Sequence, residues 1–326
     1  MKRWGRWAAL LVGSGLFAWY LRGTDWSAVG EALRRMGWLA PLLLASYFVV
    51  YVVDTWAWRE SFAERPRVPF WTMFRVRWSG EAANNIVPTA YVGGEALKVM
   101  LLARHGVPAG AATSAALISK TAQTVAQVLF IAGGAAAFLV VGIEHAGLRT
   151  GMGVVLTGGL AVLGVMVWLQ RRGAIGVVMG MLGKLGVRSR WIEDHRPRWE
   201  AVDRQVAGFY REHRGKFVRS TAGYLAGWLL DTVEIWVAAW LLGWPIHWLQ
   251  ALAIESFTGV VKVIGMWVPG ALGVQESGIS LLARLAGAPS VLGVAYPLLR
   301  RVRELIYAGL GWLLLAGDRT GKDGKK

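Results

Sequence analysis

Residues Ala111–Gly142 read AATSAALISKTAQTVAQVLFIAGGAAAFLVVG, a run of 32 positions whose one charge is Lys120. A hydrocarbon core about 30 Å thick takes roughly 20 apolar residues of helix, so this stretch predicts a membrane-spanning helix. A Lys near the centre of such a helix costs about 2.5–3.5 kcal/mol on insertion scales unless it faces protein, water or an opposite charge. Lys120, followed by Gln123 and Gln127 on an adjoining face, therefore marks a polar interior.

Working outward, six further apolar runs at Trp7–Leu21, Trp38–Trp58, Met152–Leu169, Thr221–Gly243, His247–Val268 and Val291–Ala316 read as spans. Phe70–Arg104 and Pro269–Gly287 mix Pro, Gly and charge with apolar residues, as broken or re-entrant segments do when they line a cavity. The expected fold is all-α: a polytopic transmembrane bundle of about 7–9 spans, forming a single integral membrane domain over residues 1–326. Composition agrees, with 55% hydrophobic residues, 17% charged and a mean hydropathy of +0.42, which excludes an ordinary soluble domain.

The net charge of +16 is the balance expected of Lys/Arg-rich cytoplasmic loops, and no nucleic-acid partner is implied. Residues 171–219 carry twelve Lys/Arg against five Asp/Glu, including Arg188, Arg190, Arg196 and Arg198. This connector is expected to be cytoplasmic, with an amphipathic helix over Trp191–Phe217 lying along the inner surface, where it could meet anionic lipid. Lys2, Arg3 and Arg6 place the N-terminus inside as well, and the bulky Trp19-Tyr20-Leu21 provides no small-residue cleavage site, so the first span is read as retained. Seven crossings would put the basic tail Asp318–Lys326 outside, which favours an eighth.

Cysteine is absent, and the five histidines are scattered without i,i+4 pairing, so no metal or other cofactor is expected. No phosphate-binding G-x-x-x-x-G-K-[ST] loop is present.

Segments 87–108 and 268–289 repeat without gaps at an offset of 181, identical at seven of 22 positions: Val87/Val268, Pro88/Pro269, Ala90/Ala271, Glu95/Glu276, Leu101/Leu282, Gly106/Gly287 and Pro108/Pro289. Matching Pro/Gly-interrupted segments in two halves point to a transporter's central site. Pro88, Gly93, Gly94, Pro269, Gly270 and Gly273 are the candidate loop hinges, and Glu95 and Glu276 the acids they carry.

Arg300, Arg301, Arg303 and Glu304 lie deep in the last apolar run. Glu304 reaches Arg300 and Arg301 by i,i+4 and i,i+3 spacing, but one carboxylate cannot neutralise three guanidiniums, so a net positive site suited to phosphate is expected. Lys120, Arg300, Arg301 and Arg303 are the candidate substrate-binding residues; Glu95, Glu255, Lys262, Glu276 and Glu304 are candidates for gating or coupling. Glu255–Lys262 and Glu95–Lys98 have spacings that also suit simple intramembrane ion pairs.

Val87-Pro88, Gly93-Gly94-Glu95 to Arg104, Val268-Pro269-Gly270 to Glu276 and Leu298-Leu299-Arg300-Arg301-Val302-Arg303-Glu304 resemble the lysylphosphatidylglycerol synthase/flippase transmembrane-domain family, nearest its hopanoid-biosynthesis-associated branch. The resemblance runs from about Trp38 to Ala316 and implies a multi-pass protein of the bacterial cytoplasmic membrane that moves an amphipathic lipid, anionic or of isoprenoid or hopanoid type, between leaflets. The family's larger members add a cytosolic aminoacyl-transferase domain; with the chain ending at Lys326, synthase activity is not expected. Two other readings stay open: a membrane-embedded lipid-modifying enzyme using Glu81, Glu95 or Glu276 as a general base, and a scaffold docking lipid-biosynthesis enzymes.

Overall fold

The computed structural model describes residues 41–86, 92–141, 146–173, 190–265, 268, 271 and 273–320, with scattered positions between 22 and 39. The run Trp7–Leu21, Pro88, Arg188, Pro269 and Gly270 lie outside the described residues. All regular structure described is helical: α1 (Pro41–Glu60), α2 (Phe70–Ile86), α3 (Val92–Arg104), α4 (Ala109–Val141), α5 (Ala146–Arg172), α6 (Arg190–Glu212), α7 (Arg214–Leu241), α8 (Trp248–Ile264), α9 (Val274–Leu285) and α10 (Ser290–Thr320). Gly37–Glu60, Ala109–Val141 and Arg149–Gln170 are long and apolar enough to cross a membrane.

The offset of 181 extends far beyond the two short segments that reveal it in sequence. Adding 181 to α1, α2, α3 and α4 lands on α7, α8, α9 and α10, so the chain contains two four-helix units separated by α5 and α6. Their cores correspond residue by residue: Ala57, Met73, Leu101 and Ala115 belong to one buried cluster, and their counterparts Ala238, Ile254, Leu282 and Tyr296 to the other.

The two units are inverted. Along the α1/α7 contact, Arg219 Nε donates to Glu60 Oε2 at 2.7 Å, the Ser61 and Ser220 hydroxyls lie 3.1 Å apart, Gly223 faces Ala57, and Gly227 faces Asp54 and Val50. As one number rises the other falls, so matched helices run antiparallel, about a centre near Val50 and Asp231. The close approach needs glycine: a Cβ on Gly227 would press against the Asp54 carboxylate, and one on Gly223 against Trp56 and Ala57.

Helices are exchanged between the units. In the first unit α4 packs on α8, with Gly134 against Ser256 and Gly259 against Gln127, while α10 packs on α2, where Trp78 Nε1 donates to Tyr307 O at 2.8 Å. Phe70–Arg104 folds as an antiparallel helical pair, α2 with α3, whereas Pro269–Gly287 supplies only α9, which pairs antiparallel with α8 from the run His247–Val268. At 1.5 Å per residue, α3 and α9 rise only about 20 Å, too little to cross the hydrocarbon alone.

The connector helix ends at Glu212, short of the expected Phe217, because α7 begins at Arg214. Its apolar stripe faces protein: Val202, Val206 and Phe209 are buried with Ile118 of α4, and the Ser114 hydroxyl donates to Gln205 Oε1 at 2.8 Å. Burying this stripe against α4 removes its apolar area from water through protein contact.

Candidate functional site: a charge-lined cavity on the repeat axis

A cavity of about 300 Å³ opens where the two units meet. Its walls come from α1 (Tyr47, Val50, Tyr51, Asp54), α2 (Arg77, Glu81), α4 (Lys120, Gln123, Thr124, Gln127), α7 (Tyr224, Trp228, Asp231), α8 (Lys262) and α10 (Arg300). Repeat-related positions both line it: Tyr47 with Trp228, Val50 with Asp231, and Glu81 with Lys262.

On the first-unit side, ion pairs form one continuous chain. Arg77 reaches Asp54 at 2.7 Å and Glu81 at 3.9 Å; Lys98 reaches Glu81 at 3.3 Å and Glu95 at 2.7 Å; Lys120 reaches Glu95 at 3.0 Å. Three carboxylates meet three cations. Lys98 is buried among them, and Lys120, whose side chain is 37% exposed, is the most exposed member of the chain and also donates to Gln123 Oε1 at 3.1 Å.

The second-unit side is a denser network. Arg300 Nη1 donates to Glu255 at 2.6 Å and to the Tyr296 hydroxyl at 3.2 Å. Arg301 Nε reaches Glu276 at 2.7 Å and Nη1 reaches Glu304 at 3.1 Å; Lys262 and Gln275 Nε2 each donate to Glu304 at 3.1 Å. Arg303 pairs with Glu234, both nearly inaccessible, and its guanidinium lies 3.6 Å from the centroid of the Tyr47 ring.

These contacts correct the expectation of a net positive site. Each guanidinium has its own carboxylate, from α7, α8 or α9, because an unpaired charge in a low-dielectric interior costs several kcal/mol. Arg300 and Lys120 line the cavity as expected; Arg301 and Arg303 do not, being held behind the wall by Glu276 and Glu234. The Glu95–Lys98 pair forms, whereas Glu255 and Lys262 take different partners, Arg300 and Glu304.

The candidate hinges divide. Gly273 has φ +77°, the left-handed backbone that favours glycine, and its N–H donates to Glu276 Oε2 at 2.8 Å, so this acid caps α9 while holding Arg301. Gly93 and Gly94 lie inside α3 rather than in a loop. Gly94 is a contact glycine: its N–H donates to Asn84 Oδ1 at 2.8 Å, and a Cβ there would collide with Asn84 and the Gly80 carbonyl, so its hinge role is set aside.

Asp54, Arg77, Asp231 and Glu234 are site residues that the sequence reading passes over. The signal for them is the one that found Lys120: Asp54, Asp231 and Glu234 are charges set deep in apolar runs, where each is expensive.

The family model described as lysylphosphatidylglycerol synthase TM region matches residues 6–311 of the chain. No curated protein and no solved structure matches it.

Proposed function

The chain belongs to the lysylphosphatidylglycerol synthase transmembrane-region family, and from that premise we propose that it is a flippase that carries the headgroup of an amphipathic lipid through the cavity between its inverted repeats. Family membership ties it to membrane lipid metabolism or transport. The observation that carries the finer reading is the inverted pair of four-helix units with a polar cavity on their axis, the construction by which two halves exchange conformations around a fixed site.

The cavity suits a headgroup and not a whole lipid, so the apolar tail stays in the bilayer. Lys120 and Lys262, with side chains 37% and 29% exposed, are the cations free enough to meet a phosphate, while Gln123, Gln127 and Thr124 suit the hydroxyls of a hopanoid-type head. The repeat is asymmetric where a tail would pass. α4 packs along α7, but α1 and α10 meet through long side chains, with the Tyr307 hydroxyl donating to Leu44 O at 2.6 Å.

We infer a bacterial cytoplasmic-membrane location with the N-terminus inside. Counting Trp7–Leu21, α1, α4, α5, α7 and α10 as crossings, with α2/α3 and α8/α9 as hairpins that return to the face they enter, leaves 171–219 and the basic tail both inside. That removes the conflict produced by counting His247–Val268 as a full span. The exposed Arg196 and Arg198 of α6 would then lie near anionic inner-leaflet lipid, on the side where lipid-biosynthesis enzymes dock. Glu81 and Glu95 serve this function as ion-pair partners, so no enzymatic step is assigned.

The test is fluorescent-phospholipid translocation in proteoliposomes. Lys120→Ala and Lys262→Ala are expected to slow translocation at least tenfold without loss of folded protein. A modified lipid product formed without movement between leaflets would replace this reading with the enzyme.

A further inference from the structure

Charge does not balance equally around the cavity. Among the described residues, the first-unit chain has three carboxylates and three cations, whereas the second-unit network has five carboxylates, Asp231, Glu234, Glu255, Glu276 and Glu304, and four cations, Lys262, Arg300, Arg301 and Arg303. One carboxylate is in excess.

The geometry identifies which. Asp231 is 7% exposed, lines the cavity, and its Oδ1 has no hydrogen-bond partner among the described residues. Glu255, 1% exposed, uses Oε2 for Arg300 and likewise leaves Oε1 without a partner. The two carboxylates are within electrostatic range of each other and of Arg300, Arg303 and Glu234. A buried carboxylate oxygen without a donor is costly, and a proton on Asp231 would cancel the excess charge and supply an O–H for the cavity.

We propose that Asp231 is the proton-binding site of this protein, taking up one proton from water in the cavity and releasing it when the cavity faces the opposite side. The site rests on the geometry; its coupling to lipid movement rests on the transport reading. The step is a simple transfer, carboxylate plus hydronium giving carboxylic acid plus water, with the transmembrane proton gradient as its source. The groups that act on it electrostatically are Glu234 on α7, Glu255 on α8, Arg300 and Arg303 on α10 and Tyr47 on α1, while Asp54, Arg77, Glu81, Lys120 and Lys262 are the other charged groups lining the same cavity. Asp231 stands where the first unit has Val50, so the proton site is single rather than duplicated.

Infrared difference spectroscopy of the full chain in phosphatidylethanolamine/phosphatidylglycerol vesicles, stepped in pH, tests this directly. A protonated-carboxyl C=O band is expected to appear reversibly as pH falls, to shift when the aspartates carry ¹³C carboxyls, and to vanish in Asp231→Asn; Glu255→Gln should move its midpoint. The isotope shift establishes that an aspartate takes the proton, and Asp231→Glu, which keeps an acid in place, assigns it even if Asp231→Asn does not fold: the band should persist but lose its sensitivity to the aspartate label, whereas a band still shifted by that label belongs to another aspartate such as Asp54 and overturns the site. No aspartate band, or one unchanged in folded Asp231→Asn, overturns the site. Fluorescent-lipid movement without the band overturns the proton site alone; the band without lipid movement keeps the site and overturns the flippase reading.

Discussion

Glu81 and Lys262 occupy the same position in the two inverted units, 181 residues apart, and bring opposite charges to one cavity. Glu81 accepts from Lys98 of its own unit, and Lys262 donates to Glu304 of its own unit. The backbone symmetry is thus retained while the electrostatics of the two halves have diverged, which lets the two sides of the cavity make different contacts with one ligand.

Reversing one of these charges should show the asymmetry. Lys262→Glu sets a second carboxylate against Glu304, and translocation is expected to fall at least tenfold with a lowered melting temperature. Lys262→Arg keeps the pair and should retain most activity. Proteoliposome assays and tryptophan-fluorescence melts read both quantities.

Inverted orientation can be checked by labelling, because the chain has no cysteine to remove. Ala109 and Ser290 are the exposed first residues of α4 and α10, matched by the repeat. A membrane-impermeant maleimide is expected to reach Ala109→Cys from the cytoplasmic side and Ser290→Cys from the opposite side. Labelling of both from one side would refute the inversion.

Antiparallel packing of α1 on α7 predicts a cross-link. The hydroxyls of Ser61 and Ser220 are 3.1 Å apart, so Ser61→Cys with Ser220→Cys should oxidise readily to an intramolecular disulfide, detected as a gel shift reversed by reductant. Parallel packing would separate these positions by most of the helix length and give none.

The Arg303–Glu234 pair is a stability element with both members 2% exposed. Removing either partner alone, by Arg303→Met or Glu234→Leu, should cost about 3–5 kcal/mol because the other charge is left buried. The double substitution should recover most of that loss, measured as melting temperature of the purified protein.

Much of this was legible in the sequence. Lys120 and Arg300 reveal themselves because a charge in an apolar run needs a polar interior, and the cavity holds both. The local pairs also emerge from helix spacing, Glu95 with Lys98 and Glu304 with Arg300 and Arg301. The cancelling carboxylates do not, since Glu255 and Glu234 meet their arginines across 45 and 69 residues and helix periodicity says nothing about contacts between helices. The repeat is visible only at 87–108, where turn geometry and an acid constrain residue identity; in α1 and α7 any apolar side chain of suitable size serves, and the resemblance fades.

α5 leaves Val154, Leu160, Val162, Val165 and Trp168 exposed and contributes nothing to the cavity wall. On the proposed topology its importance is one of parity: a unit in which α1 and α4 cross and the hairpin returns ends on the side where it began, so a second copy joined directly would insert in the same sense. A single additional traverse turns that copy upside down. Deleting α5 should therefore abolish the two-fold arrangement itself, though every residue that touches the cavity would still be encoded.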